Sequence, residues 1–313
     1  MSNREVPTLS LKSFTEGSAE DQLKFVDTLY SALKEYGFII LDDHLIEQDK
    51  VDRAYEIGQQ FFALEDEVKN QYGGVSGGQR GFTPFGKEHA KDNPNPDLKE
   101  FWHVGRELSS DSKYKDVYPA NVWPDKDLPE FRKAYGDLYK AMDKTAEALL
   151  SAIGKALDVP ANYFSEMIHD GNSILRLIHY PPVVNQDTKN SVRAAAHEDI
   201  NLITLLVGAT DSGLELLDRD GTWLPVKSKP GQIVVDTGDM MARLTNGILP
   251  ATTHRVVNPD DTSTTRFSMP FFVHPHSEAS LAILPQCVGE GKKWDDITAG
   301  EFLNQRLREI GLM

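Results

Sequence analysis

The chain has 313 residues, 40% hydrophobic, 26% charged and 9% aromatic, the profile of a globular protein rather than a disordered or fibrous one. Lys and Arg total 33 against 48 Asp and Glu, a net charge of −15 with no basic run, which disfavours non-specific binding to nucleic acid or to an anionic membrane. The start at Met1 carries no apolar signal core and no stretch approaches the ~18 consecutive apolar residues of a membrane span, so the expectation is a cytoplasmic protein.

Residues 1 to about 160 read mainly as helical. After Ser18, with Asp21 three positions on as a capping box, Leu23, Val26, Leu29, Leu33 and Tyr36 recur at helical spacing until Gly37 stops the run. A short apolar strand, Phe38 to Leu41, follows, and a second periodic stretch carries Val51, Tyr55 and Phe62. A longer helical pattern runs from Phe131 through Leu138, Met142, Leu149 and Ile153 and stops before Pro160. Between the last two lies a glycine-rich segment, Gly73 to Gly86, which fits neither periodicity and reads as a mobile loop or lid.

From about Ser173 short apolar runs alternate with turn chemistry at Asp211-Ser212-Gly213, Asp220-Gly221, Pro230-Gly231, Gly238-Asp239, Asn246-Gly247 and Asn258 to Asp261. The runs are Ile174 to Tyr180, Val192 to His197, Asn201 to Gly208, Leu214 to Leu217, Thr222 to Val226, Gln232 to Asp236, Thr253 to Val257 and Thr265 to His274. About eight strands of this kind make a double-sheet jelly roll. Pro270 cannot donate to a ladder, which predicts a bulge or an edge position there. Phe302 to Ile310 reads as an outer amphipathic helix. The expected architecture is mainly β with flanking helices, as one compact domain over 1–313. It comprises a helical region 1–160, a jelly-roll region 161–290 and a C-terminal helix within 291–313.

The only cysteine, Cys287, excludes an internal disulfide and any cysteine-based zinc or iron–sulfur site, so a metal must be held by His and carboxylate. Of the nine histidines, His44, His89, His103 and His169 fall in or beside polar loops, and His179, His274 and His276 sit at strand ends or on unassigned faces. His197 and His254 differ. Alternate residues of a strand share a face, so His197 and Asp199 project together while Glu198 points away. With neighbouring strands ~5 Å apart, His254, which opens the run after the Asn246-Gly247 turn, can complete a three-ligand face. Two imidazoles and one carboxylate leave three adjacent positions of an octahedral metal open, the arrangement of non-haem Fe(II) oxygenases.

Arg266 and Ser268 are again an i, i+2 pair, and a guanidinium fork beside a hydroxyl cradles a carboxylate. On the first strand Ile174, Arg176, Ile178 and Tyr180 share a face, from which Tyr180 can supply a third hydrogen bond. If alternation persists past Ser268, Phe272 walls the pocket; a bulge at Pro270 turns it away.

The ordered set His197-x-Asp199, His254 and Arg266-x-Ser268, in a jelly-roll half after a helical half, resembles the isopenicillin N synthase-like family of Fe(II)- and 2-oxoglutarate-dependent dioxygenases. Phe38-Ile39-Ile40 after Tyr36-Gly37, Leu175-Arg176-Leu177 with Tyr180-Pro181-Pro182, Thr237-Gly238-Asp239 and Leu244-Thr245-Asn246-Gly247 are similar to the family's other signature stretches. The resemblance implies a double-stranded β-helix core in which His197, Asp199 and His254 bind Fe(II). It further implies that 2-oxoglutarate chelates the metal and pairs its distal carboxylate with Arg266, Ser268 and Tyr180. O2 takes the last position, succinate and CO2 are released, and a C–H bond of a small-molecule substrate is oxidised. Arg176, Ile178 and Phe272 are the candidate substrate-pocket residues. Plant members usually carry Asn where this chain has Ile178, so one polar contact to the co-substrate is missing.

Three alternatives stay open on sequence. They are a same-fold Fe(II) oxidase that does not use 2-oxoglutarate, an enzyme that fragments 2-oxoglutarate to ethylene, and a non-enzymatic jelly-roll metal-binding protein. The Gly81 to Lys87 stretch imitates a phosphate loop until Glu88 takes the place of the required Ser or Thr. Asp236-Thr237-Gly238 looks like an aspartic-protease strand but offers one carboxylate where two are needed. No nucleic-acid or membrane partner is expected, and the assembly is expected to be a monomer or homodimer.

Overall fold

In the computed structural model, which describes residues 4–73, 79–87, 97–182, 193–207, 213–257 and 263–309, strand β1 (Thr8–Ser10) leads into helix α1 (Leu11–Thr15). Helix α2 (Ala19–Tyr36) then starts on a complete capping box. Ser18 accepts from the Asp21 N–H and Asp21 accepts from the Ser18 N–H. It ends at Gly37, whose φ of 67° lies in the left-handed region that favours glycine. Strand β2 (Phe38–Asp42), helices α3 (Gln48–Phe62) and α4 (Asp66–Lys69), strands β3 (Gly81–Thr83) and β4 (Glu100–Gly105), and helices α5 (Phe131–Ala156) and α6 (Tyr163–Ile168) follow. The first 160 residues are therefore less purely helical than their periodicity suggests. The glycine-rich loop expectation is corrected at Gly81–Thr83, which pairs with β4; residues 74–78 of that stretch lie outside the described residues.

The C-terminal half supplies β5 (Ile174–Tyr180), β6 (Ala194–His197), β7 (Ile203–Val207), β8 (Leu214–Leu217), β9 (Trp223–Pro225), β10 (Ile233–Thr237), β11 (His254–Val256) and β12 (Arg266–Val273). These match the eight apolar runs, although Val192, Gly208, Asp211-Ser212 and Asn258 to Asp261 lie outside the described residues. The turn expected at Gly238-Asp239 instead opens helix α7 (Asp239–Leu244), and α8 (Ala299–Glu309) is the C-terminal helix.

The major sheet has the order β1-β2-β10-β7-β12-β5-β4-β3 and the smaller one β6-β11-β8-β9. β1 and β2 run parallel; the other pairings are antiparallel. The expectation of a bulge or edge at Pro270 is overturned. β12 lies between β7 and β5, and its register with β5 does not shift between Arg266↔Tyr180 and Phe272↔Ile174, with Pro270 opposite Leu206 on the other side. The pairs toward β5 skip Met269 and Pro270, where the imino acid has no N–H to give, and the β7 ladder carries the strand through.

Strand alternation divides the sheet into two faces. Phe267, Met269, Phe271 and Val273 join Leu175, Leu177, Ile203 and Leu205 in the main apolar core with the helices. Each such side chain contributes roughly 1.5–3 kcal/mol on burial. Helix α3 comes so close to β5 that a Cβ at Gly58 would lie 2.7 Å from Leu177, while Tyr135 of α5 donates to the Ala54 carbonyl at 2.7 Å. The other face, with Arg266, Ser268, Pro270 and Phe272, looks toward the smaller sheet. Among the described residues no helix is long and apolar enough to cross a membrane.

Candidate active site

Between the two sheets lies an open-mouthed cavity, lined by residues of β5, β7, β10 and β12 on one side and of β6, β8 and β11 on the other. His197 closes β6 and His254 opens β11, and the two face each other directly across the antiparallel pair. Their ring centroids are 4.5 Å apart. β6 stops at His197, so Asp199 comes from the following turn rather than from strand alternation. The turn nonetheless brings its Oδ1 to 3.7 Å from His197 Nε2 and 4.0 Å from His254 Nε2. The three ligand atoms all lie within 4.8 Å of one another. Glu198 is exposed and accepts from the Thr253 hydroxyl at 3.0 Å.

The hydrogen bonds around this triad suit a divalent metal. His197 Nδ1 lies 2.7 Å from the Ala195 carbonyl and His254 Nδ1 lies 3.1 Å from the Thr252 carbonyl. A carbonyl can only accept, so each Nδ1 carries its proton and each Nε2 presents a lone pair toward Asp199. Asp199 Oδ2 is engaged by the Thr204 hydroxyl, itself 3.0 Å from Asn201 Nδ2, which leaves Oδ1 facing the imidazoles. The backbone is fixed as well: Asp239 N–H donates to the Asp199 carbonyl at 2.7 Å. A Cβ on Gly238 would stand 2.4 Å from the Asn201 carbonyl oxygen and 2.8 Å from that of Asp199, so this close approach requires glycine.

Electrostatics favour the neutral His197 imidazole that a metal needs. The His197 pKa is pushed down to about 4, first by desolvation and then by the adjacent His254. Asp236, buried on the cavity face of β10, is pushed well above the ordinary carboxylate range by burial and then by Asp199.

The residues of the predicted cradle meet at the start of β12. Arg266 is 1% exposed and its Nη1 donates to Ser268 Oγ at 3.3 Å. The guanidinium lies 4.8 Å from the centre of the Tyr180 ring, the cross-strand partner of Arg266. Ile178 is the partner of Ser268. Because alternation persists through Pro270, Phe272 does line the cavity. Arg176 sits between its ring at 5.3 Å and that of Phe101 at 4.3 Å. His103, placed in a polar loop by sequence, is instead a buried residue of β4 whose Nε2 lies 2.5 Å from Arg176 Nε. Thr204 and Lys99 carry no mark of their own in the sequence, which shows Asp236 and Phe38 only as parts of strands and not as cavity residues. Thr204 and Asp236 could have been found by extending the i, i+2 rule to β7 and β10. Phe38 packs edge-on against His254 at 5.5 Å.

Residues 6–126 match the family described as non-haem dioxygenase in morphine synthesis N-terminal, and residues 171–275 match the 2OG-Fe(II) oxygenase superfamily. A protein of Caulobacter crescentus assigned to the 2OG-Fe(II) oxygenase family has a similar structure, with TM-score 0.88 and 43% identity over 97% of this chain and 99% of that one. A full-length Neurospora crassa protein solved in complex with alpha-KG and thymine gives a TM-score of 0.84 at 27% identity, covering 97% and 96% of the two chains. The proline hydroxylase buaE of Petromyces alliaceus is 32% identical over 97% of this chain and 98% of its own length. With the His-Asp-His site in place, the chain belongs to the 2OG-Fe(II) oxygenase superfamily and is a non-haem dioxygenase that uses Fe(II), 2-oxoglutarate and O2.

Proposed function

We propose that His197, Asp199 and His254 hold the Fe(II), and that Arg266 and Ser268, flanked by Tyr180, hold the distal carboxylate of 2-oxoglutarate. Arg176, Ile178 and Phe272 form the wall met by a small-molecule main substrate. One observation carries this reading: a three-ligand face and a buried guanidinium–hydroxyl pair line one cavity. A small molecule also accords with the thymine held by the Neurospora crassa protein and with the name of the proline hydroxylase relative. Residues 1–313 are proposed to act as one unit, since β2 of the N-terminal half pairs with β10.

Fe(II) with 2-oxoglutarate and O2 supplies the oxidising power for a C–H bond, with succinate and CO2 as the co-substrate's products. The chain's own contribution is binding and orientation. Carbonyls of Ala195 and Thr252 fix both histidine tautomers, and Thr204 restrains Asp199 so that a single carboxylate oxygen faces the imidazoles. Arg266, fully buried, offers a planar fork that a water-exposed lysine could not match in geometry. Apolar Phe38, Leu206, Val234 and Val256 line the same cavity. Substituting Arg266→Ala tests the assignment. The 2-oxoglutarate concentration needed for half-maximal O2 consumption should rise at least tenfold; an unchanged requirement removes Arg266 from the site.

A further inference from the structure

Lys99 enters the cavity from outside the jelly-roll strands. It immediately precedes β4, two positions before Phe101, whose register partner Ile178 lines the cavity, and it lines the cavity itself together with Tyr180, Arg266 and Ser268. Glu100 faces His179 in the β4–β5 register, so Lys99 falls at the level of Tyr180, the partner of Arg266. The side chain is 7% exposed and is held by Asp97, whose Oδ2 lies 2.8 Å from Nζ. Asp97 is fixed in turn, because its Oδ1 accepts the Ala195 N–H at 3.2 Å. An ammonium has three donors in a tetrahedral fan, so it can keep a carboxylate on one side and serve another anion on the next. On β5 the residue beside Ser268 is Ile178, which brings no polar group to this part of the wall.

A buried cation held by a fixed acid, at the level of a buried guanidinium and facing the same space, is the arrangement that recognises a carboxylate. We propose that Lys99 is a further co-substrate-binding residue, whose ammonium supplies a second cationic contact to the distal carboxylate of 2-oxoglutarate beside Arg266. This inference rests on the placement of that carboxylate at Arg266 and Ser268.

The test is anaerobic calorimetric titration of the Fe(II)-loaded protein with 2-oxoglutarate and with 2-oxobutyrate, which keeps the chelating keto acid and lacks the distal carboxylate. For Lys99→Met the dissociation constant for 2-oxoglutarate should rise tenfold or more while that for 2-oxobutyrate stays within twofold, and Lys99→Arg should recover most of the loss. Removing Lys99 strands the buried Asp97 carboxylate, so Asp97→Asn/Lys99→Met is measured alongside. The amide introduced by Asp97→Asn keeps an acceptor for the Ala195 N–H, and the double variant is expected to show the same selective loss. An unchanged affinity for 2-oxoglutarate, or an equal loss for both acids, overturns the proposal. Arg266→Ala in the same titration separates the two readings. If it weakens 2-oxoglutarate while Lys99→Met does not, only the Lys99 contact is wrong; if Arg266→Ala leaves 2-oxoglutarate unaffected, the cradle itself is wrong.

Discussion

The Thr204 hydroxyl donates to Oδ2 of Asp199 from β7, a strand that carries none of the three candidate ligands. This bond restrains the carboxylate so that Oδ1 is the atom 3.7 Å and 4.0 Å from the two imidazole Nε2 atoms. Partners of this kind are typically worth 10–100-fold in metal affinity. Thr204→Val should therefore weaken Fe(II) binding about tenfold or more in an anaerobic titration, and Thr204→Ser should restore it. Equal affinities for wild type and Thr204→Val would show that Asp199 needs no such restraint.

Asp199→Ala removes the proposed carboxylate ligand itself. Its carbonyl would still accept from Asp239 N–H, and the hydroxyl left behind at Thr204 costs only about 1 kcal/mol. The variant should keep its circular dichroism spectrum and lose all iron-dependent turnover. Turnover retained at a substantial fraction of the wild-type rate would refute the ligand assignment.

At Gly238 the prediction concerns stability as well as the site. A Cβ there would stand 2.4 Å from the Asn201 carbonyl oxygen, so Gly238→Ala must push apart the two segments that place Asp199. The expected loss is roughly 1–3 kcal/mol by urea denaturation. An unchanged midpoint would mean that this contact is looser than the geometry implies.

His274, which is not one of the three candidate ligands, gives the chain a pH dependence of its own. It is buried, its Nδ1 has no hydrogen-bond partner among the described residues, and its pKa is pushed down to about 4, chiefly by desolvation. The unfolded chain takes up this proton near pH 6.5, the native protein only near 4, so protonation favours unfolding. The stability involved is complete above about pH 6.5 and is lost as the pH falls toward 4, by at most roughly 3 kcal/mol. In metal-free protein His197 acts in the same direction. His274→Leu should therefore reduce, without abolishing, the fall in denaturation midpoint between pH 6.5 and 4. An identical slope would place His274 in contact with water.

Sequence signals suffice where the physics is local. Ser18, Asp21 and Gly37 mark both ends of α2 because capping depends on residues within one turn. The eight C-terminal runs form strands because turn residues and apolar alternation bound them. β4 escapes notice for the opposite reason. It is buried from Glu100 to Gly105 without alternation, and its charged Glu100 is satisfied by Lys69 and His179, which are distant in sequence. Pro270 misleads because a proline usually excludes a central strand, whereas here the β7 ladder holds β12 in place. The candidate ligands are legible from type and spacing, although Asp199 reaches the site from a turn. His103 and Lys99 are not legible, since their roles exist only once β4 and β5 are brought to one cavity.

The most direct test of the account is an anaerobic titration of metal-free protein with Fe(II) and then with 2-oxoglutarate, followed in the visible range. The account predicts stoichiometric Fe(II) binding lost in Asp199→Ala, then a weak charge-transfer band from the chelated keto acid that needs more 2-oxoglutarate in Arg266→Ala. Iron bound without the band would contradict the co-substrate site, and failure to bind iron would contradict the triad.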